Sequence, residues 1–444
     1  MGQQERTQLD QMINATWMAF ESNLNALWSF TDHISRSADD IDHQRIVETA
    51  NELAELFGEK REDVEEELKQ FTPSLEKMEL YPDFRENSDV RDAMLAFQDS
   101  KFRQRILKWG QENPKKSRRF AEIFFEYLVH PPIDGILLRR SILVSLTSTL
   151  EILMTGLLTT YFFHDKTFAP KVTEMDVRLE EAQKEANKIR GFSNHVKTLQ
   201  GTGIHIDFVS ADISTKHLEE IVERRNKIVH TDGRIDKNYK EKAPTDYQPT
   251  GAEIGRILLV PDQYLQGAFQ EVILFGFLLT QSCWHTWYIS NRHNKADRAI
   301  KLSIGWHVHK NHHEIALRLI KAAALLDLPD PIQQVFKLEQ AAILRESGKE
   351  SEARAILASF PHSISEKKRL HWKIHLGLEA MRGRTRIAQI LLVSAARSNH
   401  LTEISPSWIV LQSIKKELWF EKLFENRNKG SLPPKTKARS PNKS

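Results

Sequence analysis

Residues 218–233, LEEIVERRNKIVHTDG, read as one helix with a polar end. Leu218, Ile221, Val222 and Val229 fall on one stripe at helical spacing. Arg225 lies in that stripe, and a guanidinium on a buried face is costly unless something pairs with it. Asn226 and His230 are four positions apart and share a neighbouring face. Asp232-Gly233 then supplies a stop, because glycine takes a left-handed cap without strain. Arg, Asn and His therefore gather toward the end of a packed helix. The helix start is marked by Asp212 or Ser214 as N-cap.

Working outward, the neighbouring stretches are long and apolar. Ile142–Phe163 reads as a core helix with a narrow polar stripe of Thr147, Ser148, Glu151 and Thr155 at three- and four-residue spacing. Glu151 is the natural acid to meet Arg225 in a bundle; the other reading pairs it with a different helix. Glu174–Lys197 reads as a charged amphipathic helix and residues 200–211 as a loop. Asp262–Tyr288 reads as the last core helix, with Leu265, Phe269, Val272, Leu274, Phe277 and Leu278 inward. Cys283 in that helix has no charged neighbours that would activate a thiolate and reads as a small core residue. Between them, residues 236–253 are polar and rich in Lys and Pro, as a surface loop is.

Arg225-Asn226-x-x-x-His230, set between an apolar helix and a Gly-containing break, resembles the Arg-x4-His signature of the HEPN ribonucleases, a superfamily of small all-helical RNA-cleaving domains. The likeness covers about residues 135–290. It implies an endoribonuclease that needs no metal: the RNA 2′-hydroxyl attacks, a histidine takes or gives the proton, and an arginine stabilises charge on the phosphate. The products would carry a 2′,3′-cyclic phosphate and a 5′-hydroxyl. Arg225, Asn226, His230 and Glu151 are the catalytic candidates. Arg225 and His230 are five apart, roughly 140° around a regular helix, so one helix does not aim both at one phosphate. The resemblance implies a homodimer across this helix, with both copies lining one cleft. It also implies a toxin or antiphage effector. Some HEPN toxins carry a Tyr two positions after the His, modified by a partner antitoxin; here that position is Asp232, which puts that regulation in doubt.

Arg224, Lys227, Arg234 and Lys237, with Lys240 and Lys242, are candidates for a local phosphate-binding patch; the alternative is a solvated loop. Tyr239 and Tyr247 are candidates for stacking on bases.

The flanks carry no chemistry. Residues 1–112 read as a helical accessory region with Trp17, Phe20, Leu24, Leu27 and Trp28 on one stripe and a second helix over Ala50–Phe71. The basic stretch 113–119, PKKSRRF, opens the central domain, residues 113–292. Residues 293–425 read as helical hairpins: Gly348 precedes Ala353 by five, Gly383 precedes Ala388 by five, and Asn311 precedes Ala316 likewise. This resembles tetratricopeptide (TPR) repeats, whose period is about 34, and implies a surface for a protein partner; the alternative is an ordinary helical bundle. Residues 426–444 hold six basic residues and no acid, the composition of a disordered basic tail.

Composition bounds the rest. At 444 residues, 40% hydrophobic and 28% charged, the chain is ordinary for a soluble protein of two or three domains. A net charge of +3 gives no global field for nucleic acid. A single cysteine excludes an intramolecular disulfide framework and a Cys-rich zinc site, and fits a reducing cytoplasm. The polar N-terminus lacks a signal-peptide core, and Arg6 replaces the Ser or Thr that myristoylation favours. Ile142–Phe163 is long enough to span a bilayer, but Glu151 near its middle argues for a buried helix and against a membrane. His307, His309, His312 and His313 are dense but lack converging metal-ligand spacing. There is no Walker loop, Rossmann fingerprint or nucleophile elbow. The reading is thus an all-α cytoplasmic protein with no cofactor and no metal, acting on RNA. The alternative is a non-catalytic HEPN/TPR-like scaffold that assembles protein or RNA partners.

Overall fold

The computed structural model describes residues 3–69, 108–129, 134–165, 175–231, 233–249, 254–255, 257–287, 294–326, 328–360, 371–398, 400–401, 404–406 and 408–428. Among them every regular element is helical, with one isolated bridge between Arg234 and Ile257. The all-α expectation holds. The chain divides into two compact units: Met1–Val209 with Ile213–Asn291, and Ser210–Asp212 with Arg292–Ser444.

The first unit is built from α1 (Gln3–Phe57), α2 (Ser117–Val129), α3 (Asp134–His164), α4 (Met175–Lys188), α5 (Phe192–Gly201), α6 (Thr215–Thr231), α7 (Lys237–Lys242) and α8 (Asp262–Trp287). Helix α3 is its spine. Leu143, Leu146, Leu150, Leu153, Met154, Leu157 and Leu158 are all fully buried, and α1, α4, α5, α6 and α8 pack on it. Helix α8 is buried nearly all round from Val272 to Leu279, and each of its six inward candidates is core.

The boundary expected at residue 113 does not separate α1 from this bundle. Leu9, Ile13, Trp17, Phe20, Leu24 and Trp28, three or four apart, are all buried. Trp28 lies 4.8 Å from Phe269 and Trp17 lies 6.2 Å from Phe277, ring centre to ring centre. Burial of each such side chain favours folding by roughly 1.5–3 kcal/mol. Gly276 of α8 lets the two helices approach: a Cβ there would sit 2.3 Å from the Phe20 ring. At the far end of α1, Asp42 accepts hydrogen bonds from the N–H groups of Asp134 (3.1 Å) and Gly135 (2.9 Å). It thereby satisfies two donors that the first turn of α3 leaves open. The amphipathic stripe of α1 was legible; its partner was not.

Two expected helices are divided. Helix α1 stops at Phe57, where Gly58 takes φ 71°, and helix resumes over 61–69; Phe71 lies outside the described residues. The helix expected over Glu174–Lys197 is α4 and α5, broken at Gly191 with φ 82°. Helix α5 continues to Gly201, so the following loop starts later than expected. The basic stretch 113–119 is partly helical, since α2 starts at Ser117.

Helix α3 is the one described helix long and apolar enough to cross a membrane, and 61% of its apolar window is buried within the fold, as in the core helix of a soluble protein.

The second unit contains α9 (Asn294–His309), α10 (His313–Ala324), α11 (Asp330–Glu346), α12 (Glu350–Ala358), α13 (Trp372–Met381), α14 (Thr385–Arg397) and α15 (Leu418–Asn428). Three of its turns are copies of one another. Asn311, Gly348 and Gly383 take φ 60°, 77° and 72°. The next N–H bonds back five residues each time: His312 to His307 (2.8 Å), Lys349 to Leu344 (2.8 Å) and Arg384 to Glu379 (2.9 Å). Ala316, Ala353 and Ala388, five beyond each turn, are completely buried where paired helices touch. The repeat in the sequence is thus a repeat of the turn. Helix α15 carries three residues past the expected start of the tail at 426, and residues 429–444 lie outside the described residues.

Candidate functional site

Helix α6 begins where the sequence places it. Ser214 accepts the N–H of His217 at 3.1 Å, so of the two cap candidates Ser214 is the one that caps. Gly233 takes φ 81° and its N–H bonds the Lys227 carbonyl at 2.9 Å, turning the chain back at the C-terminus. Asp232 lies outside the described residues. Leu218, Ile221 and Val222 are buried as expected, whereas Val229 is 49% exposed. The last turn of α6 has left the core.

Arg225 meets Glu151 of α3, Nη2 to Oε2 at 3.2 Å, and its Nη1 donates to Asn226 Oδ1 at 3.0 Å. The pair is half-buried, with side-chain exposures of 20% for Arg225 and 36% for Glu151. Its buried Nε has no partner among the described residues. The guanidinium is thus oriented from two sides. Such a group binds a phosphate without first losing side-chain freedom.

His230 is exposed in the last turn of α6. Within one chain it does not join the Arg225–Glu151–Asn226 cluster, as the five-residue separation requires.

Most of the expected phosphate patch is used by the fold instead. Arg224 is 4% exposed. Its Nε donates to Glu220 (2.8 Å), its Nη1 to the Leu259 carbonyl (2.6 Å), and its guanidinium lies 3.9 Å over the Tyr264 ring. Glu220, fully buried, also accepts from the hydroxyls of Tyr239 (2.6 Å) and Tyr264 (2.7 Å). Burial disfavours the Arg224 charge, but Tyr264, Glu220 and Tyr239 around it outweigh that and raise its pKa. Burial, with Glu220 beside it, also pushes the Tyr239 hydroxyl well above its usual range. Lys227 is 6% exposed and bonds Asp236 at 2.7 Å. That bond holds the Asp236 carboxyl below its ordinary value. Arg224 and Lys227 are therefore corrected from RNA ligands to structural cations, because each is desolvated and already neutralised. Arg234 is half-buried in its bridge with Ile257. Lys237 is exposed, with Glu241 3.9 Å away.

The expected surface loop after Gly233 is corrected in the same way. Ile235, Tyr239, Ala243 and Leu258 form a small core under α7, so Tyr239 is unavailable to bases. Tyr247 stacks on His217 at 4.9 Å with the rings nearly parallel.

Sequence reasoning missed His195 on α5. It is 6% exposed. Its Nδ1 faces the Gly191 carbonyl at 2.9 Å and its Nε2 faces the Thr155 hydroxyl at 3.4 Å. A carbonyl only accepts, so Nδ1 carries the proton and, in the neutral ring, Nε2 accepts from Thr155. No motif marks this histidine; the Gly191 break that aims it is the one available signal. Of the expected polar stripe on α3, Thr147 is fully buried and bonds its own helix, while Ser148, Glu151 and Thr155 line an open groove.

Among the described residues no group of three His, Cys, Asp or Glu is arranged to hold a metal. His307 and His312 approach at 3.4 Å, and burial pushes the pKa of His307 down to about 3. Cys283 is fully buried and its pKa is raised by that burial, as befits a core residue.

Compared with family models, with curated proteins and with solved structures, the chain matches none.

Proposed function

We propose that this chain is a metal-independent endoribonuclease of HEPN type, acting as a homodimer in the cytoplasm in a toxin or defence role. The observation that carries the reading is the oriented guanidinium. Arg225 is held by Glu151 and Asn226 beside an open groove, and His230 stands exposed one turn beyond on the same helix. In a dimer across α6, Arg225 of one copy and His230 of the other would share a scissile phosphate. Arg225 would neutralise charge on the phosphate and His230 would move the 2′-hydroxyl or leaving-group proton.

In-cell RNA ends test this. Cells expressing the wild-type chain should accumulate new 5′-hydroxyl RNA ends, and cells expressing His230→Ala should not. Identical end profiles in the two would refute the assignment.

One observation favours a second reading, a non-catalytic scaffold that assembles protein or RNA partners. Glu151 already neutralises Arg225, as a structural ion pair does. On that reading, Glu151→Gln would change stability but no RNA-directed activity. The repeated hairpin turns of the second unit suit a protein partner, including an antitoxin, on either reading.

A further inference from the structure

A groove of about 630 Å³ opens between α1, α3 and α4, within the size range of small-molecule sites. It deepens the RNA-cleaving reading, and rests on it where the ligand belongs to a strand. Its floor is made by α3 and is rich in acceptors. Glu151 places one carboxylate oxygen on Arg225, while Oε1 has no hydrogen-bond partner among the described residues. Thr155 is singular. The other seven Ser and Thr hydroxyls of α3 donate to carbonyls of their own helix. The Thr155 hydroxyl instead contacts His195. A donor committed to His195 leaves the Thr155 oxygen to accept from the groove.

The rest of the lining differs in kind. Met12, Ile152 and Leu179 are apolar, and Ile152 is 61% exposed. Gln183 and Asn187, one turn apart on α4, stand exposed at the rim with no hydrogen bond among the described residues. The site therefore offers a carboxylate for hydroxyl donors, a cation beside it, a greasy wall and two amides able to read a heterocycle edge. A purely apolar ligand would desolvate Oε1 of Glu151 without giving it a hydrogen bond, at a cost. A simple sugar would leave the wall and Arg225 unused.

We propose that this groove binds one ribonucleotide unit. Its 2′-hydroxyl lies on Glu151, its base lies against Ile152 and Leu179 beside Gln183 and Asn187, and its phosphate extends out of the groove toward Arg225, the ion-pair partner of Glu151. The unit is either one nucleotide of an RNA strand or a free mononucleotide.

Calorimetric titration of the full chain in EDTA tests this, with the four ribonucleoside 5′-monophosphates, their 2′-deoxy forms, and short single-stranded RNA and DNA. Ala15 lines the groove from an exposed position on α1, so Ala15→Trp plugs it without touching Glu151 or Arg225. Gln183→Leu with Asn187→Leu removes the amides. The expected result is ribonucleotide or RNA binding at least tenfold tighter than the deoxy form, weakened at least tenfold by Ala15→Trp and by the double variant, with unchanged thermal melts. Binding of the monophosphates assigns a free nucleotide, and binding of RNA alone assigns a strand nucleotide. No binding by wild type, equal binding of deoxy forms, or full binding by a folded Ala15→Trp chain would overturn the proposal. Cleavage is scored separately. Nucleotide binding without cleavage removes the enzymatic reading and leaves the pocket; cleavage with an inert pocket does the reverse.

Discussion

Arg225 and Glu151, 74 positions apart, meet at 3.2 Å across the α6–α3 contact, and that meeting explains an arginine on an otherwise apolar stripe. The pair is half-exposed, so it contributes at most about 1 kcal/mol to stability. Its value lies in holding a cation in one place at the edge of a groove.

Removing that hold should cost activity more than stability. For Glu151→Ala we expect RNA cleavage to fall about 10–100-fold, on the scale of other lost supporting partners, with denaturant unfolding shifted by no more than about 1 kcal/mol. A large stability loss with unchanged cleavage would reverse the assignment.

Arg225→Ala and His230→Ala should each lower cleavage by about 100-fold or more while the fold and the dimer persist. Mixing the two dead variants should restore part of the activity, because a mixed dimer keeps one Arg225 and one His230 that face each other. Assay of the pre-equilibrated mixture checks this; no recovery would argue against a shared site.

Glu220 should behave oppositely. Its carboxylate satisfies Arg224, Tyr239 and Tyr264 in a fully buried setting. Glu220→Ala should destabilise the chain by about 3–5 kcal/mol, since it strands a buried guanidinium. Urea unfolding reads this directly. Tyr239→Phe, which removes one hydrogen bond and leaves the charge pair, should cost only about 1 kcal/mol.

The packing of α1 makes a further prediction. Gly276→Ala would place a Cβ 2.3 Å from the buried Phe20 ring and 2.9 Å from Leu153. It should destabilise the first unit by about 1–3 kcal/mol, as overpacking does, and lower Tm in a calorimetric scan. An unchanged Tm would contradict the close packing of α8 against Phe20 of α1 and Leu153 of α3.

His307 gives the second unit a pH dependence. Its folded pKa, about 3, lies below the ordinary histidine value of 6.5 because burial disfavours its charge. The fold therefore holds the ring neutral, and the unfolded chain binds the extra proton below pH 6.5. The stabilisation is complete above that pH. It is lost at about 1.4 kcal/mol per pH unit as pH falls toward 3. His307→Phe should flatten that acid limb in urea midpoints measured from pH 7 to pH 4.

What the sequence disclosed depended on how local the signal was. The first part of the α6 stripe (Leu218, Ile221 and Val222), the Ser214 cap, the Gly233 stop and the three repeated turns are short-range patterns and were legible, whereas Val229 is exposed. Arg224 and Arg225 are adjacent and chemically identical, so only tertiary partners decide which is structural. Glu220, the Leu259 carbonyl and the Tyr264 ring claim Arg224; Glu151 claims Arg225. Lys and Pro in 236–253 gave that segment a loop's composition while Tyr239 and Ala243 within it were core. His195 had no motif at all, because its role is set by a contact with Thr155, 40 positions away. The partner of α1 was hidden for the same reason: an amphipathic helix declares a buried face and not the surface that covers it.

The most direct test of the central claim is cleavage of end-labelled RNA by purified wild type and His230→Ala in EDTA, with chemical identification of the new ends. Cutting by wild type alone is expected, leaving 2′,3′-cyclic phosphates and 5′-hydroxyls. Equal cutting by His230→Ala, or 5′-phosphate products, would contradict it.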